Sequence, residues 1–122
     1  MNTIDNNILI KGVGIHSGKS VTMHIQPVDD PGISFEYDNH NISVCINNIG
    51  ENHLRSTTLT NGLITIETPE HFLAACYALQ LTNIKVLLSA NELPILDGSA
   101  VQFIHQIKPF LTPIQGVDPK EL

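Results

Sequence analysis

The sequence predicts an α+β domain, a two-layer sandwich in which a mostly antiparallel sheet of about five strands carries two helices on one face. Three observations lead there. Short runs between residues 8 and 66 alternate apolar and polar side chains, the period of a half-buried strand. Two later stretches, about 69–81 and 100–107, repeat at helical spacing instead. The order is strands first, then helix, strand, helix, with short Asn, Asp and Gly turns between neighbours and no internal repeat.

Ile8-Leu9-Ile10 is the first strand candidate, and Val21 to Gln26 the second, with Val21, Met23 and Ile25 inward and His24 outward to solvent. Pro27 to Gly32 turns the chain into Ile33 to Tyr37. Asp38 to Asn41 reads as a hairpin turn that returns it through Ile42 to Ile46. After a polar connection, Arg55 to Leu59 precedes the Asn61-Gly62 turn, and Leu63 to Ile66 forms the next strand. A helix from about Pro69 to Leu81 follows, with Thr68 suited to the N-cap, Pro69 to the first helical position and Glu70 to the first turn. Its residues are apolar almost all round, which predicts burial. Ile84 to Leu88 is a strand, Glu92 to Ser99 a fixed loop, and Ser99 a cap for a helix that turns Ala100, Phe103, Ile104 and Ile107 inward and His105 outward. Beyond Pro109 the pattern gives out.

The 122 residues, 42% hydrophobic and 15% charged, suit one globular domain with a real core. A net charge of −6 excludes a general nucleic-acid role. No apolar run reaches membrane-spanning length, and Met1 to Asp5 has no basic start of a secretion signal. Cys45 and Cys76 are isolated in apolar stretches and read as reduced core cysteines, as in a cytoplasmic protein.

Two stretches carry chemistry. At the mouth of the first helix Glu70 and His71 are adjacent, where a buried helix has little use for polar groups. An imidazole ligand beside a carboxylate base is what a hydrolytic zinc site needs. A capping acid next to a hydrogen-bonded histidine explains the same pair, and both readings stay open on these residues alone. The second stretch, Lys11 to Ser20, has three glycines within residues 12–18. It fails the P-loop spacing, which needs glycine at Val13, and the dinucleotide fingerprint, which needs glycine at Ser17. A hairpin connection and a ligand-facing loop using His16 and Lys19 remain.

Four segments in register, Gly12 to Gly18, Ser56 to Leu59, Thr68 to Ala75 and Glu92 to Ala100, resemble the first domain of the UDP-3-O-acyl-N-acetylglucosamine deacetylases, zinc amidases of lipid A synthesis. The resemblance implies that residues 1–108 are the first domain of a two-domain enzyme and 109–122 a tail or the start of a linker. It implies Zn2+ held by His71 together with a His and an Asp of the second domain, with Glu70 as general base. It places Ile15, His16, Ser56 and Thr57 at the border of a cleft for a UDP-linked acylated amino sugar. It gives the Pro94 to Ser99 loop a structural role. Pro69 departs from the valine usual there, harmlessly for a first helical position.

The second-domain ligands of the family come as His-x-x-x-Asp. The residues four past the six histidines are Ser20, Val28, Val44, Thr57, Ala75 and Pro109, so none supplies the pair. A catalytic zinc takes about three protein ligands. Three accounts follow: half of an enzyme completed by a second-domain chain, a truncated product or excised domain, or a catalytically inactive stand-alone domain acting as a binding module. The face that would meet a second domain is expected to be apolar and to pair with such a partner chain or by self-association.

Overall fold

A computed structural model describes residues 1–44, 58–60 and 62–114. Its centre is a five-stranded sheet built from β2 (Ile8–Val13), β3 (Ser20–Pro27), β4 (Ile33–Tyr37), β5 (His40–Val44) and β8 (Ile84–Leu88). The order across the sheet is β2-β3-β8-β4-β5. Every neighbouring pair is antiparallel except β4 with β8, which are parallel. The remaining strands are β1 (Asn2–Ile4), β6 (Thr58–Thr60), β7 (Thr65–Glu67) and β9 (Leu111–Pro113), and the helices are α1 (Glu70–Ala78) and α2 (Val101–Ile107).

The alternation read from the sequence decides which face is covered. Ile8, Ile10, Met23, Ile25, Ile33, Phe35, Ile42, Val44, Ile84 and Val86 are buried, while Leu9, Lys11, Thr22, Asn41 and Ser43 between them are exposed. One face is therefore core, and both helices lie on it. Phe72 of α1 joins the two layers: its ring meets Phe35 of β4 edge-on at 5.9 Å and Phe103 of α2 edge-on at 5.5 Å. Leu73, Ala75 and Cys76 complete the buried side of α1, and burial pushes the Cys76 thiol's pKa far up, so it stays a neutral, apolar group.

The Asp38-Asn39 turn joins β4 to β5 with both residues at positive φ, 52° and 64°, the conformation of a two-residue hairpin that favours Asn and Asp.

β2 runs on to Val13, past the expected Ile10, and β5 begins at His40, inside the expected Asp38 to Asn41 turn. Three further differences concern α1, β7 and the ends of the chain. α1 ends at Ala78 rather than near Leu81, because Gln80 adopts φ 53° and closes the helix. Its N–H donates to the Tyr77 carbonyl at 3.1 Å and that of Leu81 to the Cys76 carbonyl at 2.8 Å, a Schellman ending with no glycine to announce it. β7 begins at Thr65, two residues late, leaving Leu63 exposed. The third is a short β1–β9 pair, Asn2 to Ile4 against Leu111 to Pro113, which the residue pattern does not signal. Asn2 also finishes α1: its backbone N–H donates to the Gln80 carbonyl at 2.8 Å and its side-chain amide to the Leu79 carbonyl at 2.9 Å.

Phe72→Ala is expected to destabilise the chain by about 3–5 kcal/mol, since it empties the joint between layers. Tyr77→Ala, on the exposed side of the same helix, should change stability by less than about 0.5 kcal/mol. Urea unfolding followed by circular dichroism measures both.

Candidate functional site

Glu70 and His71 are the first two residues of α1, and both are half-buried. What places them is the chain just before. Thr68 is not the N-cap: its backbone is left-handed, φ 56°, where an N-cap residue is extended. Its hydroxyl donates to the Glu67 carbonyl at 2.8 Å and the Leu93 carbonyl at 3.4 Å, so it is not turned toward the helix amides. Pro69 takes the N-cap position, and no side chain caps α1. A β-branched residue in this region, directly before proline, is strained by about 1–3 kcal/mol.

The strain is held by the segment 91–95. Glu67 donates its N–H to the Asn91 carbonyl at 2.7 Å and accepts from Leu93 N–H at 3.1 Å. Further along the same segment, Gly14 bridges Pro94, and Ile95 N–H donates to the Val13 carbonyl at 2.9 Å. The start of α1, the segment 91–95 and the glycine turn after β2 are thus hydrogen-bonded in sequence, forming one continuous end of the domain.

Ile15 and His16 sit on that turn and are exposed, Ile15 with 58% of its surface free. The turn itself closes by Gly18 N–H on the Gly14 carbonyl at 2.9 Å. Ser56 and Thr57, the other expected substrate neighbours, lie outside the described residues. In the Pro94 to Ser99 loop Leu96 and Gly98 take positive φ, and the Asp97 carboxylate accepts from Ser99 N–H at 3.0 Å and its hydroxyl at 2.8 Å. Ser99 stands one residue before the N-cap Ala100, and its hydroxyl accepts from Val101 N–H at 3.3 Å. His105 is exposed, and His24 is half-buried rather than fully solvated.

One residue of this end was not singled out by sequence reasoning. Glu92, 2% exposed, turns its carboxylate into the glycine turn and accepts from His16 N–H at 3.1 Å and Ser17 N–H at 3.0 Å. Burial acts to raise its pKa, but the Ser17 hydroxyl and the two amides outweigh it, holding the carboxyl below the usual range. The sequence signal was slight, an acid directly before an apolar Leu-Pro-Ile run.

Glu70 differs from Glu92. Its Oε2 is buried and has no hydrogen-bond partner among the described residues. A buried carboxylate oxygen with no described partner, on the residue before a histidine at the start of a helix without a side-chain cap, is a donor set suited to part of a zinc site. Among the described residues no group of three or more His, Cys, Asp or Glu could hold a metal, so further donors are required. The orphaned oxygen costs about 1–3 kcal/mol, more than the roughly 0.3–1 kcal/mol that the helix dipole returns. Glu70→Leu is therefore expected to leave stability unchanged or raise it, as read by the urea midpoint.

Over residues 1–115 the chain matches the family described as LpxC: UDP-3-O-acyl N-acetylglycosamine deacetylase. It is 41% identical over 111 residues to the UDP-3-O-acyl-N-acetylglucosamine deacetylase of Pseudomonas entomophila, an alignment covering 87% of this chain and 36% of that protein. It is 39% identical over 124 residues to the protein of the same name from Marinobacter nauticus, covering 98% of this chain and 39% of the relative. The chain spans less than two-fifths of the length of either relative. With the match running from the first strand through the last, the chain belongs to the UDP-3-O-acyl-N-acetylglucosamine deacetylase family.

Proposed function

We propose that this chain forms one side of the active site of a zinc-dependent amidase that removes the N-acetyl group of UDP-3-O-acyl-N-acetylglucosamine in lipid A synthesis. The observation that carries the reading is the buried Glu70 Oε2, without a hydrogen-bond partner among the described residues, on the residue that precedes His71 at the start of α1. A buried structural acid is normally paired, and an oxygen with no described partner points to a functional role.

In this reading His71 supplies one ligand, and the remaining His and Asp come from a second domain. Bound Zn2+ would polarise the acetamide carbonyl and acidify the attacking water. Glu70 takes the proton of that water as general base, and its seat on a packed helix fixes where the proton is received. Ile15 and His16 border the substrate from the glycine turn, with Ser56 and Thr57 beside them. The buried free thiol of Cys76 suits a reducing, cytoplasmic setting.

Zinc uptake is measured by competition with a chromophoric chelator, for the chain alone and with a segment carrying a His-x-x-x-Asp pair. Uptake should be weak alone, tight with the segment, and lost in His71→Ala. Glu70→Gln should retain uptake and lower acetate release by about 10²–10⁴-fold. Uptake indifferent to His71 in both settings would leave the domain as a binding module without chemistry.

A further inference from the structure

Glu92 reaches both parts of the site, one with its backbone and the other with its side chain. Its backbone bridges Glu67, with Asn91 and Leu93 exchanging hydrogen bonds with Glu67 on either side, three residues before Glu70. Its side chain leaves that ladder in the other direction and accepts the amides of His16 and Ser17. Gly14 makes room for it: a Cβ there would overlap the Glu92 carboxylate. Gly12 makes room for the same segment, because its Cβ would stand 2.6 Å from that of Pro94.

We propose that Glu92 is a positioning residue, whose carboxylate locks the Ile15–Ser17 turn in one place relative to Glu70 and His71. The two elements are far apart in sequence, and neither fixes the other directly. The turn has exposed side chains from Ile15 to Lys19, so its packing does not hold it. A charged acceptor for two consecutive amides does, and such bonds are about twice as strong as neutral ones. Thr68 contributes from the opposite side, since its strained backbone is tied by its hydroxyl to the Leu93 carbonyl next to Glu92. The functional meaning, that substrate-facing groups are held in register with the base and ligand, rests on the reading of this end as a hydrolase site.

The test is amide hydrogen exchange and NMR of the 122-residue chain. Glu92→Gln keeps the side chain's volume and removes its charge and one acceptor, so a space-filling role predicts no effect. The expected result is exchange faster by about tenfold or more at His16 and Ser17, unchanged exchange at Ile25 and Val86, and displaced ring resonances of His71. Gly14→Ala, which evicts the carboxylate without altering it, should reproduce that pattern. Protection at His16 and Ser17 within about twofold of the unmodified chain would overturn the proposal. So would loosening confined to residues 14–19 with His71 unmoved. Should both variants fail to fold, the unmodified spectrum decides: downfield amide protons at His16 and Ser17 mark bonds to a carboxylate, and ordinary shifts there refute them. Zinc uptake by the unmodified chain with the His-x-x-x-Asp segment is read separately. Its failure alongside an intact Glu92 coupling would remove the hydrolase reading and leave the lock standing.

Discussion

The seating of Phe72 between Phe35 and Phe103 is the contact on which the site depends. α1 has nine residues, short of the roughly 12–15 that a helix needs to persist in water without packing. It is also apolar on nearly every side, so no polar stripe sets its rotation. The two edge-on ring contacts do so, one from the sheet and one from α2, with Leu73, Ala75 and Cys76 filling the same side. With that rotation fixed, the two residues before Phe72 have only one way to project. Glu70 and His71 inherit their direction from a hydrophobic joint that contains no catalytic group.

The second constraint is at the helix start, where local preference is overridden. Thr68 has the composition of an N-cap and the backbone of something else, φ 56° directly before a proline. The bonds of Glu67 to Asn91 and Leu93 hold it there. The result is a helix whose first amides have no side-chain cap, with an acid and an imidazole as the polar groups nearest to them. A normally capped helix would occupy that end with its own hydroxyl. Strain at Thr68 and a Glu70 oxygen with no partner among the described residues both stand against stability, and both lie within three residues of each other at the place where chemistry is proposed.

Most of the sheet was legible because its strands obey a rule written in single side chains. Met23, Ile25, Phe35 and Ile42 alternate with polar neighbours, and the structure buries them. The Asp38-Asn39 turn was legible for a similar reason, since those residues tolerate positive φ. What escaped was set by tertiary contact. Gln80 closes α1 without a glycine, and Asn2 supplies partners for the carbonyls of that closure from the other end of the chain. The pairing of Asn2–Ile4 with Leu111–Pro113 joins two stretches that have no strand pattern of their own. In the site, the adjacency of Glu70 and His71 was plain from the sequence. The role of Glu92 was not, because nothing in a run of residues shows which distant amides a carboxylate will meet. Ser56 and Thr57 lie outside the described residues.

The two glutamates of this end show how one residue type is given opposite tasks by its surroundings. Glu92 is almost fully buried, accepts two amides and a hydroxyl, and is thereby kept ionised and fixed. Such a carboxylate is a poor base, since every bond that stabilises its charge lowers its affinity for a proton. Glu70 has a buried oxygen with no described donor to satisfy it. Glu92 lies on the segment 91–95, which ties the glycine turn to Glu67, three residues before Glu70. Both acids therefore belong to one hydrogen-bonded end of the domain, one satisfied there and the other without a described donor.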